Sequence, residues 1–165
     1  MNRRSIVAIG VALTFATGVP WLSSGAHSQS VDDVIGTYTL ISVSNVKGDQ
    51  RTETYGPNPK GMMRLDASGR YVVVLMRPDL PKFASSDRTA GTPAEYKAIA
   101  LGSFVHMGTF NVADGNIVFR LEHTTYPNWD GQEQKRKLTL NGDELKYEVG
   151  STLGGISTLV WKRVR

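Results

Sequence analysis

Apolar and polar residues alternate on both sides of Asp114-Gly115, over 103–113 and over 116–125. An Asp-Gly pair between two alternating runs predicts a two-residue type I′ turn, because both central positions of that turn need a positive φ. This turn would pair His106 with His123 across the two strands. Most large apolar residues of both runs lie on the same face as these histidines. We therefore expect the two histidines to be cross-strand neighbours on a buried face.

Six further stretches alternate in the same way or are rich in β-branched and aromatic residues. Four of them form two hairpins, around 66–69 and around Asn141-Gly142. The six predicted strands are 36–46, 61–65, 70–77, 133–140, 144–150 and 156–164. Together with the central hairpin they make eight strands in hairpin order. This pattern predicts a closed antiparallel barrel, because closure leaves no exposed sheet edge.

One helix is predicted, from Thr92-Pro93-Ala94-Glu95 to about Leu101. Threonine can cap the helix, proline suits its first turn, and glutamate three residues after the threonine completes a capping box. In an up-and-down barrel the three tight turns lie at one end, and the longer connections lie at the other. The expected fold class is therefore all-β: an eight-stranded antiparallel up-and-down barrel, open at one end, with one short helix at that open end.

Residues 1–28 have the order of a secretory signal peptide: a basic pair, an apolar run and then small residues. Cleavage is expected at Ala26-His27-Ser28, with Ser24-Gly25-Ala26 as the competing site. The alternative is a membrane anchor, but the apolar run is short for a span. The mature domain would comprise residues 29–165 and would be periplasmic or secreted, in a bacterium.

The composition narrows the function classes. The chain has no cysteine, which excludes a disulfide framework and thiol catalysis. Its net charge is +4, but Arg3 and Arg4 belong to the signal, so 17 of the 19 basic residues remain against 15 acidic ones, a balance of +2. So small an excess does not favour nucleic acid as a partner. We expect no cofactor, and no membrane association after signal cleavage.

Several short motifs resemble those of the calycins, and in particular those of the bacterial lipocalin-like domain family. Gly36-x-Tyr38 is similar to the Gly-x-Trp of the first lipocalin strand, and Arg163 is similar to the basic residue that covers that aromatic ring. The closer matches, in chain order, are Tyr55-Gly-Pro-Asn-Pro-Lys-Gly61, Gly91-Thr-Pro, Gly108-Thr-Phe110 and Pro127-Asn-Trp-x-Gly-x-x-Gln134-x-Arg136. Unlike ordinary lipocalins, the chain has tyrosine at position 38 and cannot form the usual disulfide. The resemblance implies a barrel that holds a small ligand, and it carries over no catalytic residues.

Polar and apolar side chains come together on the predicted inward faces. The polar candidates are His106, His123, Gln134, Arg136 and Tyr147, the apolar ones are Phe104, Phe110 and Phe119, and Trp129 is a candidate lid. Apolar walls with a few polar groups are typical of a small-molecule site. The same residues are equally consistent with a buried hydrogen-bonded network that fixes strand register. Two histidines lack the third ligand that zinc needs, so no metal site is expected.

These residues leave several functions open. The first is an exported protein that binds a small, mostly apolar or amphipathic molecule inside the barrel, with an anionic group of that ligand near Arg136. The second is a cofactor-free enzyme of the isomerase, cyclase or hydrolase type, in which His106 and His123 carry out acid–base chemistry. The third is a barrel whose outer surface binds another protein. The sequence leaves the oligomeric state open.

Overall fold

The computed structural model describes residues 29–165, which form nine strands, two helices and two 3₁₀ turns. The strands are β1 Gly36–Lys47, β2 Gln50–Glu53, β3 Lys60–Leu65, β4 Arg70–Met76, β5 Ser103–Ala113, β6 Asn116–Thr124, β7 Glu133–Asn141, β8 Glu144–Gly150 and β9 Ile156–Arg163. The helices are α1 Val31–Val34 and α2 Pro93–Gly102, and the 3₁₀ turns are Arg88–Ala90 and Pro127–Trp129. Neither helix is long and apolar enough to span a membrane. The predicted signal peptide, residues 1–28, lies outside the described residues.

Eight of these nine strands form a closed antiparallel barrel, which confirms the predicted fold. They pair in chain order from β1 through β3 to β9, and β1 also pairs with β9. The remaining strand, β2, lies where the pattern predicts only a connection, and it pairs with the last residues of β1. Gly48, with a φ of 59°, lies in the tight turn between β1 and β2. The short hairpin of β1 and β2 places additional backbone at the open end of the barrel.

The predicted tight turns are present at the opposite end. Asp114 and Gly115 have φ values of 52° and 70°, as a type I′ turn requires. Leu65 pairs with Tyr71 across the turn at 66–69, in the predicted register. The longer connections, including the one that contains α2, lie at the other end, as expected for hairpin order.

The predicted pairing of His106 with His123 is wrong. From the turn as far as the pair Gly108 and Leu121, the residues of β5 and β6 face each other as predicted. Beyond that pair, the pairing shifts by one residue. A β-bulge follows Leu121, where β6 carries one extra residue. His106 therefore lies opposite Thr124, and His123 is turned to the outer surface, where it is exposed. His106 keeps its predicted inward position, with 1% of its surface exposed.

Gly108 permits this bulge because the backbone of β6 comes very close to it. A Cβ atom at position 108 would lie 2.0 Å from the carbonyl oxygen of Arg120 and 2.9 Å from the amide nitrogen of Glu122. No side chain fits between these backbone atoms. Alternation with a period of two assumes that each residue of one strand faces one residue of its partner, so an extra residue on one strand reverses the predicted faces beyond it.

Tyr38 and Arg163 close the tight-turn end of the barrel, as the resemblance implies, and we call this pair the plug. The ring of Tyr38 is fully buried beneath the guanidinium of Arg163, whose central carbon lies 4.9 Å from the ring centroid. The hydroxyl of Tyr38 donates a 2.8 Å hydrogen bond to the carbonyl of Val34 in α1. Arg163 also donates to the carbonyls of Asp33 and Ile35, so the chain before β1 is tied across the end of the barrel. The short helix α1 is absent from the prediction.

The middle of the barrel is filled by buried side chains that include Met63, Leu65, Ile117, Leu121, Leu145 and Trp161.

Helix α2 begins as the sequence predicts. The Thr92 hydroxyl accepts a 3.2 Å hydrogen bond from the Glu95 amide, and the Glu95 carboxylate accepts a 2.7 Å bond from the Thr92 amide. This reciprocal capping box satisfies two backbone donors that the first turn would otherwise leave unpaired. The helix lies in the connection between β4 and β5 and continues directly into β5 at Ser103. The predicted helix at the open end is confirmed.

We expect Gly108→Ala to destabilise the barrel by about 3 kcal/mol or more, because overpacked sites cost about 1–3 kcal/mol and this clash is with backbone that cannot rotate away. Equilibrium urea unfolding measures the change. Gly150→Ala is the matched control, since Gly150 also lies in a strand and has nothing within 4 Å of an added Cβ atom. Its effect should stay within about 1 kcal/mol of wild type. Equal stability of the two variants would contradict the bulge.

Candidate functional site

A cavity of about 80 Å³ lies at the open end of the barrel. Its walls are apolar side chains from five strands: Val43, Leu75, Phe104, Val149 and Leu159. Residues of the loops around the mouth complete it: Thr54, Tyr55, Trp129 and residues 151–153. The polar side chains that reach it from inside the barrel are His106, Arg136 and Ser157. An apolar cup with a few buried polar groups is the usual composition of a small-molecule site.

His106 is held in one orientation by its neighbours. Its Nδ1 atom is 2.9 Å from the hydroxyl of Tyr71 on β4, and its ring contacts those of Phe104 and Phe119 at centroid distances of 5.6 Å and 5.8 Å. Burial, and then the nearby charge of Arg136, lower the pKa of His106 well below its ordinary value of 6.5. The imidazole is therefore neutral at neutral pH. With Nδ1 engaged by Tyr71, the remaining ring nitrogen, Nε2, is the one left for a ligand.

Arg136 is the only charged side chain among the cavity-lining residues of the described chain. It comes from β7, whose alternation points it inward, and only 2% of its surface is exposed. Its guanidinium carbon lies 4.8 Å from the ring centroid of Phe119 and 5.1 Å from that of Tyr147. These cation–π contacts stabilise the charge without neutralising it. Its Nη2 atom donates a 2.8 Å hydrogen bond to the half-buried Gln134.

Among the buried polar atoms around Arg136, hydrogen-bond donors outnumber acceptors. The Nε atom of Arg136, the hydroxyl of Tyr147 and the indole nitrogen of Trp161 are all buried, and each lacks a hydrogen bond of normal geometry to any described residue. The hydroxyl of Tyr147 lies near both the guanidinium and the indole, and burial raises its pKa against the lowering effect of Arg136. Tyr147 is therefore neutral. Its oxygen is the only acceptor of this group, whereas all three side chains can donate.

Trp129 forms part of the mouth rather than a free lid. It lies in a 3₁₀ turn and is half-buried, with its ring edge-on to Phe104 at 5.4 Å and to Tyr126 at 5.9 Å. The side chain of Asp130 accepts a 2.7 Å hydrogen bond from the amide of Thr124. This bond ties the Trp129 loop to the end of β6. The aromatic edge of the mouth is thus held by its own loop.

The predicted site residues divide into four groups. Phe104, His106, Trp129 and Arg136 line the cavity. Phe110, Phe119 and Tyr147 are buried in the core behind it. Gln134 contacts Arg136. His123 lies on the outer surface and takes no part, because of the bulge in β6.

Several lining residues are absent from the prediction. Tyr55, which is 9% exposed and whose pKa burial raises to about 12, follows β2 in a stretch predicted as connection. The Tyr-Gly-Pro motif that supports the family resemblance could have indicated it. The alternation along β1 does not indicate Val43, because a second irregularity shifts the register of β1 with β9 between Leu40 and Ser42. Residues 151–153 lie in a connection whose sequence has no signal for a site.

A family profile, a curated relative and a solved structure resemble this chain. Residues 35–164 match the sequence profile of a family described as lipocalin-like domain. A 4'-hydroxy-3'-methoxypropiophenone carrier protein of Aspergillus oryzae is 27% identical over 103 residues, an alignment that covers 54% of this chain and 93% of that protein. The solved structure of a redesigned β-barrel superposes with a TM-score of 0.46 and 12% sequence identity, covering 84% of this chain and 98% of that one.

The buried, neutral His106 predicts a pH dependence of stability. In the mildly acidic window below about pH 6.5, the unfolded chain binds a proton at this histidine that the folded chain excludes, because the folded pKa is lowered. The free energy of unfolding should therefore fall as the pH falls, by up to about 1.4 kcal/mol per pH unit from this residue. Urea unfolding across that window measures the slope, and His106→Gln should remove this contribution.

The control is His123→Gln. His123 is exposed, so this variant should keep the wild-type slope. Identical slopes for wild type and His106→Gln would show that His106 is protonated in the folded protein.

Proposed function

Because the chain belongs to the lipocalin-like domain family, we propose that it binds one small, mostly apolar molecule in the open end of its barrel. The observation that carries this proposal is the cavity of about 80 Å³ between apolar walls, with His106 and Arg136 at its inner surface. Binding in such a cavity is driven by the removal of apolar surface from water, and the few polar groups fix the orientation of the ligand.

The size and lining of the cavity favour a compound with one ring. An engineered apolar cavity of about 150 Å³ holds a benzene molecule. A one-ring compound would therefore fill this smaller cavity and extend into the mouth, between Tyr55 and Trp129. Phe104 and Trp129 present aromatic surfaces to it, and aromatic pairs favour edge-on and offset contacts.

The Aspergillus oryzae relative supports a carrier role, since its name describes the carriage of a one-ring aromatic ketone. That compound is a suitable first probe for this chain. Its aromatic ring matches the apolar walls, and its oxygen atoms can accept hydrogen bonds from the polar inner surface.

The enzymatic alternative loses its main support. It relied on His106 and His123 acting together, and these side chains lie on opposite faces of the sheet. The remaining hydrogen-bonded pair, Tyr71 and His106, consists of two groups that burial keeps neutral. Among residues 29–165 there is also no cluster of three or more acidic, histidine or cysteine side chains that could hold a metal ion.

Export to the periplasm or the medium is part of the proposal, and it rests on the basic, apolar and small-residue order of residues 1–28. Mature protein from the envelope or medium of its own host should begin near Gln29 by intact-mass and N-terminal analysis. Val11→Asp, which places a charge in the apolar run, should leave unprocessed precursor in the cell. A membrane-held protein with Met1 intact would contradict export.

Filling the cavity should weaken binding without unfolding the barrel. Val149→Phe places a larger side chain in the cavity wall, and we expect it to weaken binding of 4'-hydroxy-3'-methoxypropiophenone at least about tenfold, which is a loss of about 1.4 kcal/mol. Isothermal titration calorimetry measures the affinity, and quenching of tryptophan fluorescence gives a second measure of binding. Native mass spectrometry of protein from its own host tests for a retained ligand.

Val160→Phe is the matched control, since Val160 is a half-buried valine on the outer face of the neighbouring strand β9. It should bind as wild type does. If neither the ketone nor other one-ring compounds bind the wild-type protein saturably, the proposed function is wrong.

A further inference from the structure

The cavity carries one uncompensated positive charge. None of the side chains that line it in the described chain is acidic, and Arg136 takes part in none of the ion pairs among the described residues. His106, the other basic side chain at the cavity, is buried and neutral. The inner surface of the cavity therefore has a net charge of about +1 at neutral pH.

The hydrogen bonds of Arg136 are also incomplete. Rings of Phe119 and Tyr147 lie against its guanidinium, so the donors around the edge of the group remain to be satisfied. A guanidinium has five N–H donors, and the hydrogen bond found among the described residues is the one from Nη2 to Gln134. The Nε atom is buried without a partner. In the described part of the chain, the hydroxyl oxygen of Tyr147 is the one acceptor close to both the guanidinium and the indole nitrogen of Trp161, so acceptors around Arg136 are fewer than donors.

Such an arrangement is unfavourable in the empty protein. Transferring a charge from water to a buried site costs several kcal/mol unless it is paired and hydrogen-bonded. Stacking on aromatic rings recovers only part of this, about 2 kcal/mol for a desolvated contact. An anionic acceptor at the cavity side of Arg136 would supply the missing charge and accept hydrogen bonds from the guanidinium.

We propose that the ligand of this cavity is an aromatic monocarboxylate, whose ring occupies the apolar cup and whose carboxylate binds the edge of the Arg136 guanidinium. This inference rests on the proposed function and specifies the chemical class of its ligand. A single cation matches a single negative charge, whereas a phosphate group would need further cationic side chains that the cavity lacks. The planar carboxylate is the anion that the planar guanidinium binds with two parallel hydrogen bonds.

Benzoate and benzamide test this inference, because they have nearly the same size and shape and differ in charge. Calorimetric titration of the wild-type protein should give an affinity for benzoate at least about tenfold higher than that for benzamide, as expected for a hydrogen bond to a charged group. The ¹⁵N–¹H signals of the Arg136 guanidinium should shift further on addition of benzoate than on addition of benzamide. This comparison needs no variant, so it does not depend on whether a substitution folds.

Arg136→Met should remove the preference for benzoate over benzamide, since it removes the charge and keeps a side chain of similar length. The same variant should melt at or above the wild-type temperature without ligand, because it removes the desolvation cost of an uncompensated buried charge. Arg120→Met is the matched control. It removes the same charge from an exposed position on β6 and should keep the wild-type preference.

The outcomes separate the two proposals. Equal affinities for benzoate and benzamide in the wild type, together with a lower melting temperature of Arg136→Met, would overturn the inference and assign Arg136 a structural role, while the proposed function would stand. Failure of both compounds and of the aromatic ketone to bind would overturn the proposed function as well.

Discussion

The antiparallel ladder between β1 and β9 is the constraint on which the rest of the structure depends. It joins the first and last strands of the described domain, from Tyr38 opposite Arg163 to Val46 opposite Ile156. The hairpins between neighbouring strands are local and would form an open sheet equally well. Closing that sheet satisfies the backbone of both edge strands and encloses a volume that is accessible only through its two ends.

The two ends of this volume differ because hairpin order places short turns at one and long connections at the other. At the short end, Tyr38 and Arg163 bind the chain of α1 across the opening, so that end is filled with protein. At the long end, Thr54 and Tyr55, residues 151–153 and the Trp129 loop surround the opening without filling it. The position of the cavity thus follows from connection length and from one plug, before any ligand is considered.

A single buried charge organises the chemistry of the cavity. Burial, and then the charge of Arg136, lower the pKa of His106, whereas burial raises the pKa values of Tyr71 and Tyr147 against the lowering effect of Arg136. Burial therefore keeps these three neighbours neutral around one cation. Aromatic rings hold the guanidinium in place where a carboxylate would otherwise be expected. A structural network would be expected to complete its own hydrogen bonds, because buried polar groups left unpaired are costly. The proposed binding site differs from such a network at Arg136, whose Nε atom has no hydrogen bond of normal geometry to a described residue.

The local signals of the sequence determined most of the architecture. The positive φ values that Asp114-Gly115 must adopt, the capping box at Thr92 and the alternation along β7 act between residues close in the chain, so the hairpin, α2 and the inward Arg136 could all be predicted. The aromatic and basic residues of the plug were predicted from family resemblance.

Only the tertiary structure decided where the alternation of inward and outward side chains along a strand is interrupted. The bulge in β6 exists because Gly108 lets the neighbouring backbone approach, and it turns His123 outward. The register shift in β1 brings Val43 to the cavity in the same way. Tyr55 lines the cavity because the connection between β2 and β3 folds over the mouth of the barrel. Each of these depends on contacts between residues far apart in the chain, and an inward-facing pattern of period two cannot encode an extra residue on one strand.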